Sequence, residues 1–261
     1  MSRSLGMVVP AYRPDVETLI SYVDALETEL SPRTIRIELD APKSAVVDRL
    51  KAADLPATIH VADYRRGKGA AITYGFERLE TDIRAFVDAD GSTTVDSMAD
   101  VVAAVRDDGA DLGVGSRRHP ASTVRSHQTY ARRWLGHGFA WLARQLLDAK
   151  LFDYQCGAKA IRASTWQAVR SHLYEPGFAW DVELIAMTAA LGYTIAEIPI
   201  VWEDHPGSTV SAIDTPMALA RGLLAARHRA KLLSDDPLHK AIESYRADEP
   251  ALVDRPGWND D

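Results

Sequence analysis

The sequence predicts an α/β domain built on a mainly parallel central sheet flanked by helices. Over about the first 115 residues, short apolar runs that read as buried strands alternate with stretches of helical period. At 261 residues and 46% hydrophobic content the chain can bury one large core, so residues 1–233 are expected to form a single domain. Within it, about 5–115 form one regular half and about 116–233 a less regular one.

Leu5 to Pro10 is an apolar run ending in a proline and reads as the first strand. Asp15 then offers an N-cap, and Val16, Leu19, Ile20, Val23, Leu26 and Leu30 fall on one helical face. Ile35, Ile37 and Leu39 alternate up to Asp40 as a second strand, and Ile59 and Val61 mark a third. Ile83 to Asp88 is the fourth. Val95, Met98, Val101, Val102 and Val105 follow as an amphipathic helix, and Asp111 to Ser116 as a further strand. The second half offers a helix from about Thr129 to Leu147, a turn-rich stretch around Cys156, a helix from Asp181, a strand from Ile195 to Trp202 and a closing helix from Pro216 to Leu233. Residues 234–261 are polar and expected to be partly disordered.

Composition excludes several classes. A net charge of −7 argues against general nucleic-acid binding, which needs a basic surface. The single cysteine, Cys156, rules out an internal disulfide and a multi-cysteine zinc site, and its expected role is packing. Apolar stretches stop short of the ~20 residues that span a bilayer, and no charged-then-apolar start appears, so a cytoplasmic location is expected. One segment departs from the acidic average. Arg117, Arg118, Arg125, Arg132, Arg133, Arg144 and Lys150 face a single acid, Asp148, with Tyr130, Trp134, Phe139 and Trp141 interleaved, a composition suited to an anion or a lipid headgroup. The closing helix carries Arg221, Arg227, Arg229 and Lys231, and reads either as a solvated face or as one that lies on an anionic membrane.

Asp88-Ala89-Asp90-Gly91 ends the fourth strand. Side chains two apart on extended backbone share a side, so both carboxylates are expected to face one hard cation, Mg²⁺ or Mn²⁺, whose shell is completed by water and phosphate oxygens. Upstream, Arg65-Arg66-Gly67-Lys68-Gly69-Ala70-Ala71 lies between strand and helix, where glycines admit a ligand to the backbone and Arg66 and Lys68 supply charge for a nucleotide or diphosphate. Neither a P-loop nor a dinucleotide-binding glycine pattern is present, which removes support from an ATPase or dehydrogenase.

With these residues the chain resembles the family 2 glycosyltransferases of GT-A (Rossmann-like) fold, in the dolichyl-phosphate glucose and mannose synthase branch. The resemblance covers about residues 5–210. It rests on Val8-Val9-Pro10-Ala11-Tyr12, Arg66-Gly67-Lys68-Gly69-Ala70-Ala71, Asp88-Ala89-Asp90-Gly91 and Gly115-Ser116-Arg117 in order. Asp153-Tyr154-Gln155-Cys156-Gly157-Ala158-Lys159, Phe178-Ala179-Trp180-Asp181-Val182-Glu183-Leu184 and Ile198-Pro199-Ile200-Val201-Trp202 with Gly207-Ser208 extend it. The resemblance implies an inverting hexose transfer from a nucleoside diphosphate sugar, UDP-glucose favoured and GDP-mannose next, to a polyprenyl or dolichyl phosphate, with peripheral contact at the cytoplasmic face of a membrane. It implies nucleotide contacts at Pro10, Ala11, Tyr12 and Asp40, metal at Asp88 and Asp90, and acceptor phosphate at Arg117 and Arg125.

Two loops depart from the family. Glu38-Leu39-Asp40-Ala41-Pro42 stands where many members have two Asp followed by Gly-Ser, and Arg13-Pro14 replaces a common Asn-Glu. Asp40 is the candidate uracil or ribose contact by position alone, with Asp15 as a substitute.

The acceptor decides the mechanism. A hydroxyl must lose a proton as it attacks and needs a carboxylate base, for which Asp181 is the candidate. A phosphate monoester is already an oxyanion at neutral pH, with a second pKa near ~6, and Asp181 and Glu183 would then orient Arg or Lys, or cap a helix. Transfer to a hydroxyl acceptor is thus one alternative. A catalytically silent membrane- or partner-binding module is the other.

Overall fold

A computed structural model describes residues 3–125, 130–203, 214–243 and 250–255. The first half runs β1 (Leu5–Ala11), α1 (Val16–Leu30), β2 (Thr34–Asp40), α2 (Ser44–Ala52), β3 (Thr58–Ala62), α3 (Lys68–Glu77), β4 (Ile83–Val87), α4 (Val95–Arg106) and β5 (Leu112–Ser116). The second half contributes β6 (Thr123–Arg125), α5 (Tyr130–Leu146), β7 (Ala158–Arg162), α6 (Ala163–Val169), α7 (Trp180–Ala190), β8 (Ile195–Pro199), β9 (Val201–Glu203), α8 (Asp214–Leu233) and α9 (Pro237–Glu243). Asp15 caps α1 as expected, its Oδ1 accepting from the Thr18 backbone N–H at 2.9 Å, an arrangement worth about 1 kcal/mol in such helices.

Seven strands form one sheet in the order β3-β2-β1-β4-β7-β5-β8. It is mainly parallel, as predicted, with β7 antiparallel to both β4 and β5. From β1 the chain steps outward to β2 and β3, then returns to place β4 on the other side of β1. That reversal opens a crevice beyond the carboxyl ends of β1 and β4, where α/β sheets bind ligands. Helices α1, α2 and α4 pack on one face, through Leu26, Leu50 and Val101 among others, and α3, α5, α6, α7 and α8 on the other. Trp180 anchors the second face. It is fully buried, donates from Nε1 to Thr73 Oγ1 at 3.0 Å and meets Phe86 edge-on at 5.6 Å.

Two features depart from the sequence expectation. The strand expected over Ile195–Trp202 is two strands, because after β8 the chain crosses to a small second sheet in which β9 pairs with β6. The stretch near Cys156 leads into β7, hidden in sequence because a lysine, Lys159, sits in its buried interior. Parts of the tail are described. Helix α9 follows α8, and at 250–255 the apolar pair Ala251-Leu252 is buried, with Leu252 N–H donating to Leu173 O at 2.7 Å. Gly207 and Ser208, and the side chains of Tyr130, Arg132, Arg133 and Trp134, lie outside the described residues.

Candidate active site

Beyond β4 the backbone turns rather than continuing extended. β4 ends at Val87, and Gly91 takes φ +68°. The pleat argument for the two carboxylates is therefore corrected: a turn brings them together, with Asp90 Oδ1 accepting from Ser92 N–H at 3.0 Å. Both carboxylates act electrostatically on the buried Tyr22, raising its pKa after burial itself has done so. Asp88 keeps two-fifths of its side chain exposed and is held on one oxygen by Lys68 Nζ at 2.9 Å. Its other oxygen lies against Gly157, where a Cβ would come within 1.9 Å of Oδ2, so only glycine fits beside it. Desolvation pushes the Asp88 carboxyl up, Lys68 opposes this, and Asp90 and Asp181 add to it.

Among the described residues no group of three His, Cys, Asp or Glu forms a metal cage. Two carboxylates, each with one oxygen outside the hydrogen bonds just named, are nevertheless the sparse donor set a hard cation uses when phosphate oxygens complete its shell. The residues present fit such an ion.

Lys68 opens α3, whose N-cap, Gly67, has φ +101°, and its ammonium also meets Asp181 Oδ2 at 3.1 Å. Asp181 accepts on its other oxygen from Lys159 Nζ at 2.6 Å, and Lys159 further donates to Cys156 O at 2.7 Å. Lys159 and Asp181 are buried, at 1% and 2% side-chain exposure. Burial alone would raise the Asp181 carboxyl, but Lys159 and Lys68 together hold it below its ordinary value. Glu183, two residues further along α7, accepts from the Tyr174 and Glu175 backbone N–H groups and pairs with Arg229. Lys68 was expected to hold nucleotide; here it is shared between two carboxylates.

Asp40 and Arg66 are likewise committed to each other. Arg66 Nε donates to Asp40 Oδ1 at 2.8 Å and Gly67 N–H to Oδ2 at 2.9 Å, while Arg66 Nη2 reaches the buried Glu38 at 3.2 Å. Glu38 also binds Arg36 and His60. Ala41, in the altered loop, holds φ +43° where the family commonly has glycine, a conformation that costs an L-residue roughly 1 kcal/mol. Pro10 and Ala11 end β1, and Tyr12 beyond them lies beneath two guanidinium groups, Arg65 at 4.3 Å and Arg13 at 5.1 Å from its ring centre. Asp15 is occupied as the α1 cap.

On the other side of Asp88, Arg117 grips the buried Asp153 through Nε at 2.7 Å and Nη2 at 3.1 Å, with its backbone N–H donating as well at 3.2 Å. Burial disfavours the charged guanidinium, but Asp153 outweighs it and raises the Arg117 pKa, with Asp88 a minor contributor. Burial would raise the Asp153 carboxyl, but Arg117 holds it well below the usual range. Between these groups Cys156 is fully buried, its thiol pushed up to about 12 by desolvation, so it packs and does not react. Arg125 lies further out on β6, exposed and paired with Glu203 at 2.8 Å. In the sequence Arg118 stands only as one cation of the basic segment, without a role of its own. Its Nη1 is buried with no hydrogen-bond partner among the described residues, and only the orphaned donor, invisible in sequence, marks it.

A switch-point crevice carrying an acid pair on a mainly parallel sheet defines a nucleotide-sugar domain of GT-A architecture. The glucosyl-3-phosphoglycerate synthase of Mycobacterium tuberculosis, solved with Mn²⁺, UDP and phosphoglyceric acid, has the same fold, with TM-score 0.64 and 18% identity over 87% of this chain and 78% of that one. The family model "Glycosyl transferase family 2" matches residues 40–168. The undecaprenyl-phosphate mannosyltransferase of Micrococcus luteus is 30% identical over 206 residues, covering 76% of this chain and 83% of that protein. The dolichyl-phosphate beta-glucosyltransferase of Saccharomyces cerevisiae is 24% identical over 246 residues, 85% of this chain and 74% of that protein. The chain belongs to the family 2 glycosyltransferases. Several relatives are longer, and the chain spans 36%, 50% and 51% of three of them.

Proposed function

We propose that this chain transfers a hexose, with inversion, from a nucleoside diphosphate sugar to a polyprenyl phosphate at a membrane surface. The observation that carries the reading is the double ion pairing of Asp181, the residue at which a hydroxyl acceptor would need its base. A carboxylate buried between two ammonium groups and held below its ordinary pKa is a poor proton acceptor, whereas a phosphate monoester attacks without one. The M. luteus and yeast relatives are described as acting on undecaprenyl and dolichyl phosphate.

In this mechanism Pro10, Ala11 and Tyr12 line the nucleotide, and Asp40 and Arg66, locked together, shape the loop beside it. Asp88 and Asp90 would hold Mg²⁺ or Mn²⁺, which would supply Lewis-acid stabilisation of the charge on the departing diphosphate. Lys68 fixes the Asp88 carboxylate. Arg117 presents what its Asp153 pairing leaves free toward the acceptor phosphate, and Arg118 adds a second guanidinium, so the attacking oxyanion is positioned by charge. Arg125, exposed at the rim, meets the approaching headgroup. Glucose is favoured over mannose as the sugar by the likeness of the second-half motifs to the glucose synthases.

The test is labelled sugar transfer from UDP-glucose and from GDP-mannose to a polyprenyl phosphate in detergent. Metal-dependent labelling of the lipid supports the reading and names the donor. Labelling only of a hydroxyl acceptor, lost in an Asp181→Asn variant whose circular dichroism spectrum shows it folded, would overturn it.

A further inference from the structure

Ahead of α7, residues 173–177 are neither helix nor strand, so their backbone polar groups need partners from elsewhere. Three elements supply them. From the segment 250–255, Leu252 N–H donates to Leu173 O at 2.7 Å and Arg255 Nη2 to Tyr174 O at 2.7 Å. On α7, Glu183 Oε2 accepts from the Tyr174 and Glu175 N–H groups, both at 2.8 Å. On α3, Ala70 N–H donates to Pro176 O at 3.0 Å. Arg229 of α8 pairs with Glu183 and lies 4.3 Å from the centre of the Tyr174 ring. The result is a strap, 173–177, fastened along its length.

One edge of the strap presses on the turn that opens α3. A Cβ on Gly67 would come within 2.4 Å of Pro176 O, and one on Gly69 within 2.7 Å of Glu175 O, so the two backbones meet where only glycine fits. That turn reaches the site directly. Gly67 N–H donates to Asp40 Oδ2 at 2.9 Å, and Lys68 Nζ holds Asp88 Oδ1 at 2.9 Å. Leu252 is fully buried in the same apolar cluster as Phe76 of α3 and Trp180 of α7, so 250–255 is anchored on both helices that the strap joins. The matched family region, residues 40–168, contains the turn and Asp88 but neither the strap nor 250–255. A staple that served only the fold could sit anywhere on this face of the sheet. This one bonds the strap whose edge meets the turn beside Asp88.

We propose that Leu252 and Arg255 are positioning residues for the donor: segment 250–255 clamps the 173–177 strap onto the Gly67-Lys68-Gly69 turn and so keeps Lys68 on Asp88 and Gly67 on Asp40. Loosening the clamp frees the turn, and with it the two carboxylates on the nucleotide and metal side, while the Arg117–Asp153 pair on the acceptor side has no part in the strap. The inference deepens the proposed function and rests on its reading of this turn and Asp88 as the donor and metal site.

The experiment compares the full chain with Arg255→Ala, Arg255→Lys, Leu252→Val and, as a reference, Lys68→Met, each checked for folding by circular dichroism. Calorimetry with Mn²⁺ and UDP, and with Mn²⁺ and GDP, reads nucleotide affinity, and hydrogen exchange reads the amides of residues 67–71. Arg255→Ala should weaken nucleotide binding and raise the donor KM about fivefold or more, speed exchange over 67–71 by a similar factor, and leave the acceptor KM and exchange in β1 and β5 unchanged. Arg255→Lys keeps a donor for the Tyr174 carbonyl and should restore most of the affinity. Leu252→Val trims the same clamp by one methylene and should move the same constants in the same direction by a smaller factor. Wild-type exchange and nucleotide affinity in a folded Arg255→Ala, or an equal rise in donor and acceptor KM, would overturn the clamp. Weaker binding in Lys68→Met alone would overturn the clamp and leave the donor site standing, whereas unchanged binding in both Lys68→Met and Arg255→Ala would remove the turn from the donor site itself.

Discussion

Lys68 Nζ lies 2.9 Å from Asp88 Oδ1 and 3.1 Å from Asp181 Oδ2, so one ammonium ties the carboxylate at the end of β4 to the first turn of α7. Lys159 closes the chain from below, and the ammonium groups of Lys68 and Lys159 lie 5.3 and 5.5 Å from the Phe86 ring centre. Two cations and two anions balance in a largely dry setting. Such a network is costly to break singly and tolerant of balanced removal.

Asp181→Asn and Lys159→Met should each lower unfolding stability by about 3–5 kcal/mol, because each strands a buried charge. The double variant should cost clearly less than the sum, a coupling read from urea denaturation of all four proteins. Additive losses would mean that the two side chains do not share a network.

Asp90 makes a contrast. It is exposed, and among the described residues its one hydrogen bond is from the Ser92 backbone N–H, two residues on. Asp90→Ala should therefore leave the melting temperature nearly unchanged, within about 0.5 kcal/mol of stability, while abolishing metal-dependent sugar transfer and the response to EDTA. Retained transfer would remove Asp90 from the metal site.

How far this arrangement could be foreseen depends on the range of the signals. Every strand up to β5 was legible, because burial on a parallel sheet leaves continuous apolar or alternating runs, and the α1 cap was legible because Asp15 acts on Thr18, three residues away. Asp88, Asp90, Lys68 and Asp181 were identified as chemistry-bearing residues, but their partners were not. The pairings of Lys68 with Asp181, Arg117 with Asp153 and Arg66 with Asp40 join positions 113, 36 and 26 residues apart, a separation no local pattern encodes. Strand β7 escaped notice for the same reason: the buried lysine in its interior makes sense only once Asp181 is beside it.

Arg118→Met should raise the KM for a polyprenyl phosphate acceptor about tenfold or more, the worth of a charge-assisted hydrogen bond, and leave the donor KM near its original value. Steady-state kinetics with each substrate varied in turn provide the check. An equal rise for both substrates would place Arg118 in general support of the loop rather than at the acceptor phosphate.

Stability should be flat near neutrality and fall at both extremes. The folded-state pKa values of Asp153 and Asp181 are held below the ordinary 3.8, so their contribution is complete above 3.8 and is lost as pH falls below it toward the depressed values. Lys68 is raised above 10.5 by Asp181 and Asp88 against the opposing effect of burial, so its contribution is complete below 10.5 and is lost as pH rises through the higher folded value. Denaturation midpoints measured across pH should show both limbs, and Asp153→Asn should flatten the acid limb at the expense of overall stability. An unchanged acid limb in that variant would assign acid unfolding to other carboxylates.

Arg84 sits on β4 at the end of the sheet away from Asp88 and offers a gain instead of a loss. It is 7% exposed, and its Nη2 donates to Leu79 O at 3.0 Å, but Nε and Nη1 are buried with no hydrogen-bond partner among the described residues. Desolvation lowers its pKa, Glu77 opposes that only in part, and Arg170 adds to the lowering. A guanidinium so placed carries most of the burial penalty and recovers little of it through hydrogen bonds. Arg84→Met keeps a long flexible side chain against Leu79, gives up one hydrogen bond worth about 1 kcal/mol and removes two unsatisfied donors that cost about 1–3 kcal/mol each. The variant should be more stable than wild type by about 1 kcal/mol, raising the melting temperature by about 2–4 °C for a chain of this size, with transfer activity unchanged. Destabilisation beyond about 1 kcal/mol would show that the guanidinium is in fact well satisfied, with the Glu77 carboxylate as the partner to test next.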